Sequence, residues 1–458
     1  MPPTPEILAE LLRARLGCDC AVLGEAGYDA ARSAYNLAVD QRPAAVVLAA
    51  SAADVASAVR VAAEQGLRVA AQGTGHGCGA LASLADAILV RTDRLGGIEI
   101  DAAGRRARVG AGATWGEIAA AADAHGLAGL AGTAATVRVA GYATGGGIGW
   151  LARRHGLASE SIRAVELVTA DGEQVRADAA HEPDLLWAIG GGGGSFGIVT
   201  ALELELVPVP DLYAGALFWP LERAAEVLHA WRAWTGGLPD EVTSLGRLLR
   251  LPPIPEIPEP FRGRSFVVLE AAFLGPADEG AALLAPLRSL GPELDTIRPM
   301  RPTDLPELNM DPPEPVPYAG DGLLIADFPA AAVDALLDLA GPGRASPLLS
   351  IEVRHLGGAL GRRAPGCGAL GALAGGFAVF GVGMGPTQEA IEAIEGGLDA
   401  LHAALAPWDE GRRYLNFTER RVDPACFYEP ADYRRLRELR GRVDPAGRLL
   451  ANHPIPPL

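Results

Sequence analysis

The chain has 458 residues, 49% of them hydrophobic but only 5% aromatic, and a formal net charge of −17. That length predicts two domains with cores built chiefly from Ala, Val and Leu. The acidic balance argues against nucleic acid or an anionic membrane surface as partner.

No apolar run reaches membrane-spanning length, and the first residues lack a basic segment followed by an apolar one. The five cysteines, Cys18, Cys20, Cys78, Cys367 and Cys426, have neither zinc nor CxxC spacing. A cytoplasmic protein with reduced thiols and no metal site is expected.

In chain order, an amphipathic helix is predicted over 1–17, opened by Thr4 and Pro5. Residues 44–50 are a short apolar run of buried-strand type. Ser51 and Asp54 offer a capping box for a helix reaching Gln65, which Gly66 ends. The next strand is 68–71, and 98–109 reads as a hairpin broken at 101–104. Thr114 and Glu117 form a second capping box for a helix stopping near Gly126. Strands at 165–170 and 174–177 flank the turn pair Asp171-Gly172. Residues 198–207 alternate as a half-buried strand does. The glycine run 190–194, held between Trp187 and that strand, reads as a tight ligand-facing turn rather than a linker.

Pro208 and Pro210 mark a boundary. Beyond it, proline-rich loops at 252–260 and 302–317 separate strand candidates at 266–273, 322–327 and 348–354. The loops, with Met310 and Tyr318, are candidates for a substrate rim. A charged helix over 433–442 lies between Tyr414-Leu415-Asn416-Phe417 and the segment 452–457.

The chemistry is carried by glycine clusters. Gln72-Gly73-Thr74-Gly75-His76-Gly77 sets a histidine in a loop directly after a strand, and Gly141, Gly145, Gly146, Gly147 and Gly149 form a second cluster. Glycines let backbone N–H groups approach an anion closely. Two such loops in one domain point to a long diphosphate ligand, and the embedded histidine to its chemical attachment. Neither GxxxxGK[ST] nor a GxGxxG after the first strand is present, which disfavours a P-loop or nicotinamide site.

With the segments 139–151, 152–157, 166–172, 183–187, 191–200, 414–417 and 452–457, these loops form an ordered set of motifs. On that set the chain resembles flavoproteins of the vanillyl-alcohol-oxidase type, specifically the bacterial branch of the berberine-bridge-enzyme-like FAD oxidases. The resemblance covers nearly the whole chain. It implies an α+β protein with a PCMH-type FAD-binding domain of two α/β subdomains, over 1–210 with its core near 40–210. A substrate domain over 211–410, an antiparallel sheet backed by helices, is inserted before a segment 411–458 that returns to the FAD domain.

By the same resemblance His76 carries the covalent bond from an imidazole nitrogen to the flavin 8α-methyl. The other residues implied to bind FAD are Gly73, Thr74, Gly75, Gly77, Cys78, Thr136, Val137, Gly141, Tyr142, Gly145, Gly146, Gly147, Gly149, Gly197, Ile198, Val199, Tyr414, Asn416 and Asn452. Many relatives attach the flavin a second time through a cysteine. The matching position here is Ala134, so a single link is predicted, with Cys78 as a packing residue. Val137, at the flavin's oxygen-reactive face, resembles members that use O2. Arg138, Ser195 and Gly190 depart from the family pattern.

Removing a hydride also requires a group that accepts a proton. In several relatives that base is the tyrosine of Tyr-x-Asn-Tyr, and here the position is Phe417. Replacement candidates are Tyr142, Glu352, His355 and Tyr428. Within one strand, 352 and 354 share a face and 355 lies on the other, so Glu352 and His355 should not both face the flavin. The resemblance implies an oxidase for a small alcohol, sugar or specialised metabolite, with O2 as acceptor and H2O2 as product. A dehydrogenase with another acceptor and a non-redox flavin-binding protein are the alternatives. Neither substrate identity nor oligomeric state follows from the sequence.

Overall fold

A computed structural model describes residues 3–81 and 83–458. The chain folds as an α+β protein around three large sheets.

The first sheet has the strand order Cys20–Val22, Ala45–Leu48, Ala87–Arg91, Arg68–Gln72, Leu449–Leu450. Its three central strands are parallel. The helix Ala52–Glu64 supplies the crossover, and its start is fixed by side chains: Ser51 Oγ accepts from Asp54 N at 3.2 Å. The Asp54 carboxylate in turn accepts from Ala50 N at 3.2 Å and Gly17 N at 2.8 Å. The aspartate is one methylene shorter than the glutamate of a full capping box, and it reaches the residue before the cap. At Thr114 the box is complete, with Glu117 Oε2 accepting from Thr114 N at 2.8 Å.

The second sheet is antiparallel, ordered Ile98–Asp101, Arg106–Gly110, Ile198–Glu205, Ile162–Val168, Gln174–Asp178. The last short strand of the chain, Leu449–Leu450, joins the first sheet beside Val69 and Ala70, which brings the C-terminal segment next to the His76 loop.

The third sheet runs Leu294–Asp295, Tyr213–Pro220, Ser265–Phe273, Val242–Arg250, Ser350–His355, Phe377–Met384, Tyr318–Ile325. Three of its long strands, Tyr213–Pro220, Val242–Arg250 and Phe377–Met384, carry no clear signal in the sequence. The first two are buried along almost their whole length, so apolar residues do not alternate with polar ones. One face packs Leu248, Val267, Leu269, Ile351, Val353 and Val379 into a core with the helices Ala224–Thr235, Ala330–Ala340 and Gln388–Leu405. The opposite face carries Arg247, Leu249, Glu352, Arg354, Phe380 and Val382 toward a cavity. Among the described residues no helix is long and apolar enough to cross a membrane.

Candidate active site

The glycine loops and the charged face of the third sheet open onto one cavity of 1070 Å³. Small-molecule sites usually occupy about 300–1,000 Å³, so this one has room for a long cofactor and a second molecule.

The strand Arg68–Gln72 delivers the chain to the first loop. There Gly75 takes φ +86°, and a Cβ would lie 2.8 Å from Ala34 Cβ, so the position demands glycine. The His76 ring stacks on Tyr35 with centroids 3.7 Å apart and planes at 21°. Its carbonyl accepts a hydrogen bond from the Tyr318 hydroxyl at 2.6 Å. Burial pushes the imidazole down to about 4, so at neutral pH the ring is uncharged and keeps a nucleophilic lone pair.

Nε2 of His76 and both amide atoms of Gln72 are buried without a hydrogen-bond partner. Buried polar atoms are nearly always satisfied, and a polar ligand in this cavity would satisfy them. Asn452 donates to the Gly77 carbonyl, closing the loop from the C-terminal side. Cys78 is buried and its thiol is pushed up to about 12 by burial, the behaviour of an unreactive packing residue.

The second loop is the short helix Val139–Thr144 and the turn after it. Gly141, Tyr142 and Thr144 line the cavity, as do Val137, Ala134, Gly197, Ile198 and Val199. Five positions expected at the cofactor, Thr136, Gly145, Gly146, Gly147 and Gly149, stand behind that wall instead. Their composition answers to packing. A Cβ on Gly149 would lie 1.7 Å from the Ala131 carbonyl oxygen, and one on Gly147, at φ +81°, 2.5 Å from the Tyr142 ring. Thr136 offers its carbonyl to the Thr74 hydroxyl at 2.9 Å and so ties the loops together. Tyr414 and Asn416 brace the same turn: Gly147 N donates to Tyr414 Oη at 2.8 Å, and Asn416 Nδ2 to the Tyr142 carbonyl at 3.0 Å.

Across the cavity, Arg247 and Glu352 are cross-strand partners, and Glu352 faces Phe380 on its other side. Arg354 Nη2 donates to Glu352 Oε1 at 2.9 Å, while Arg247 Nη2 stays 3.9 Å from Oε2. Arg354 also lies over the Phe417 ring at 5.3 Å. Arg247 is held by the Asn309 carbonyl at 3.0 Å and stands 2.8 Å from Glu270 Oε1, off the hydrogen-bonding direction. Burial pushes the Glu270 carboxyl up to about 7 despite that arginine.

The structure sorts the four base candidates. Glu352 is in the cavity wall. His355 is on the opposite face of its strand, where Arg153 Nη1 donates to its Nδ1 at 2.9 Å and its ring leans on Phe377. Tyr428 donates to the Gly191 carbonyl at 3.1 Å, away from the cavity. Tyr142 lines the cavity, but its hydroxyl is buried without a partner and burial holds its pKa well above the ordinary value, which disables it as a base. The sequence contains no lysine, so no amine base is available. Sequence reasoning missed Arg247, Arg354, Tyr35 and Glu419 as cavity residues. Only Arg354, sharing a strand face with Glu352, could have been found by spacing.

Residues 43–178 match the family described as the FAD binding domain. Among curated proteins, (R)-6-hydroxynicotine oxidase of Paenarthrobacter nicotinovorans is 35% identical over 196 residues, 43% of each chain. The match spans less than half the length of this and the other leading curated relatives. Among solved structures, 6-hydroxy-D-nicotine oxidase of Arthrobacter nicotinovorans superposes with TM-score 0.81 at 25% identity, covering 94% of this chain and 96% of that one. The chain contains an FAD-binding domain and has the berberine-bridge-enzyme-like fold. The moss protein Physcomitrella patens BBE-like 1 has the same fold at TM-score 0.85 and 22% identity, covering 98% of this chain and 99% of its own. FAD suits this cavity. The partnerless Gln72 amide and the neutral His76 stand on one wall, and the glycine backbone near 141 and 193–197 on another.

Proposed function

We propose that the protein is an FAD-dependent oxidase that takes a hydride from a small organic alcohol or amine, reduces O2 to H2O2, and holds its flavin covalently through His76 alone. The supporting observation is the single cavity that joins an uncharged, partnerless imidazole on one side to the carboxylate of Glu352 on the other. FAD, when bound, supplies the hydride acceptor. The chain supplies the rest. His76, clamped by Tyr35 and Tyr318, anchors the cofactor. Glu352 receives the substrate proton at Oε2, the oxygen that Arg354 leaves free. Arg354 holds the carboxylate in place. Phe417 has no proton to exchange and serves as the platform for Arg354.

The substrate end of the cavity is lined by Leu249, Ile254, Phe261, Met310, Phe380 and Met384. An apolar wall with one buried ionic centre favours a largely apolar molecule carrying a single hydroxyl or amine over an oligosaccharide. The name of the 35%-identical relative, a hydroxynicotine oxidase, points the same way. Val137 on the cavity wall and Ala134 in place of a cysteine support O2 use and a single link respectively.

The test begins with colour. Wild-type protein precipitated with acid keeps its yellow pellet, whereas His76→Ala releases flavin to the supernatant or binds none. A bleached wild-type pellet refutes the attachment. A panel of apolar alcohols and amines under O2 then yields H2O2. Reduced protein that fails to reoxidise in air is a dehydrogenase.

A further inference from the structure

Substrate oxidation as just described leaves one half-buried carboxyl at the cavity wall, that of Glu419, without a task. Glu419 follows the Tyr414–Phe417 segment, and its backbone N–H donates to Asp321 Oδ1 at 3.2 Å. Its own carboxyl lies beside the hydroxyl of Tyr318, and both residues line the cavity. Among the described residues no cation pairs with it: Arg420 turns to Asp399 and, at 3.9 Å, to Asp321, and His402 stands 3.5 Å from Asp321. Burial, reinforced by the nearby Asp321, pushes the Glu419 carboxyl up to about 8, so its conjugate base is far more basic than an ordinary carboxylate.

Its surroundings lead to the cofactor anchor rather than to the substrate wall. Tyr318, beside the carboxyl, donates to the His76 carbonyl at 2.6 Å. Tyr35 stacks on the His76 ring at 3.7 Å and meets Tyr318 edge-on at 6.4 Å. Cys78, two residues past His76, is also in range of Glu419. The acid thus stands one side chain away from the backbone carbonyl of His76, on the wall of the same cavity.

We propose that Glu419, positioned by Tyr318, is the base for self-catalysed attachment of flavin to His76. This rests on the covalent reading above. In the step, a C–H bond of the 8α-methyl breaks and its proton passes to the Glu419 carboxylate. An imidazole nitrogen of His76 forms a C–N bond to that carbon, and the imidazole N–H proton is lost. The electron pair of the broken C–H bond remains on the flavin, which is reduced by two electrons. Molecular oxygen, the oxidant of the proposed turnover, takes those electrons and two protons and leaves as H2O2. Each attachment therefore releases an equimolar amount of peroxide. The uncharged state of His76 suits it as the nucleophile, and the high proton affinity of Glu419 suits it as the acceptor.

The test uses full-length protein produced flavin-free under riboflavin limitation and then mixed with FAD in air. Two quantities are followed: total bound flavin after gel filtration, and flavin that stays with the acid-precipitated chain. Wild type is expected to convert bound to acid-stable flavin with equimolar peroxide. Glu419→Gln, nearly isosteric, should bind FAD with unchanged affinity but convert it at least ~100-fold more slowly, the lower end of what a positioned base contributes. Tyr318→Phe should slow conversion by a smaller factor. Conversion of Glu419→Gln at the wild-type rate overturns the proposal, and so does loss of reversible FAD binding with no separate effect on attachment. Should Glu419→Gln not fold, Glu419→Asp decides: an unchanged rate with the carboxyl drawn back by one methylene overturns it. A wild-type protein whose flavin never becomes acid-stable refutes the covalent reading itself, a result distinct from any of these.

Discussion

At Glu352 the carboxylate is bonded on Oε1 by Arg354 at 2.9 Å and only distantly approached on Oε2 by Arg247 at 3.9 Å. That asymmetry leaves one oxygen for a substrate proton. Glu352→Gln keeps the shape and the hydrogen bond to Arg354 but removes the basic lone pair. It is expected to lower the rate of flavin reduction about 10²–10⁴-fold, with flavin content unchanged, as read by anaerobic stopped-flow absorbance. A variant that reduces its flavin at the wild-type rate would move the base elsewhere. Residue identity alone did not reveal this geometry. The sequence places Glu352 and Arg354 on one face of a strand by their spacing of two, but Arg247 comes from a strand with no alternating pattern. Ser195, read only as a departure from the family pattern, is buried and accepts from Ile455 N at 3.0 Å. Its role is to fix the chain terminus.

Among the elements, the C-terminal helix Pro430–Val443 shows how the last segment is fastened to the chain around Ser195. Arg440, 3% exposed, reaches out of that helix to Asp444 at 2.7 Å, to the Leu449 carbonyl at 2.9 Å and to the Ser195 carbonyl. Asp444, 1% exposed, accepts from the Arg448 and Leu449 backbones. Arg440→Met leaves a buried carboxylate uncompensated. The expected cost is about 3–5 kcal/mol, measured as a fall in the denaturation midpoint, and a midpoint within error of wild type would show that the ion pair adds nothing. Helices with a cap in the sequence were legible at both ends, as at Ser51 and Thr114, because the capping side chain is local. Half-buried strands were legible as well. The strands Tyr213–Pro220 and Val242–Arg250 were not, because a strand buried on both faces has no period of two to detect.

For the whole molecule, His355 and its partner Arg153 sit where the helix Ala152–His155 meets the third sheet. Burial and then Arg153 push the imidazole down from 6.5 to about 3. Between those values the unfolded chain binds a proton that the folded chain does not. Stability therefore rises with pH through this window and is lost as pH falls from about 6.5 toward 3. The contribution is on the order of 2–4 kcal/mol. His355→Gln, which cannot titrate, should flatten the acid limb of a plot of thermal midpoint against pH. An acid limb identical to wild type would assign the loss to other groups.

The sequence by itself determined the glycine loops, the helix caps and the alternating strands, because these are short-range signals read within a few residues, and the resemblance carried by its motifs implied the fold class. It also excluded a tyrosine at 417 and a cysteine at 134. What only the tertiary structure decided was which residues share the cavity. Gly147 and Gly149 lie behind its wall, His355 faces away from it, and Arg247, Glu352, Tyr35 and Glu419 meet there from distant parts of the chain. Those meetings depend on sheet register and on strands hydrogen-bonded across some hundred residues of sequence, and no local pattern encodes that distance.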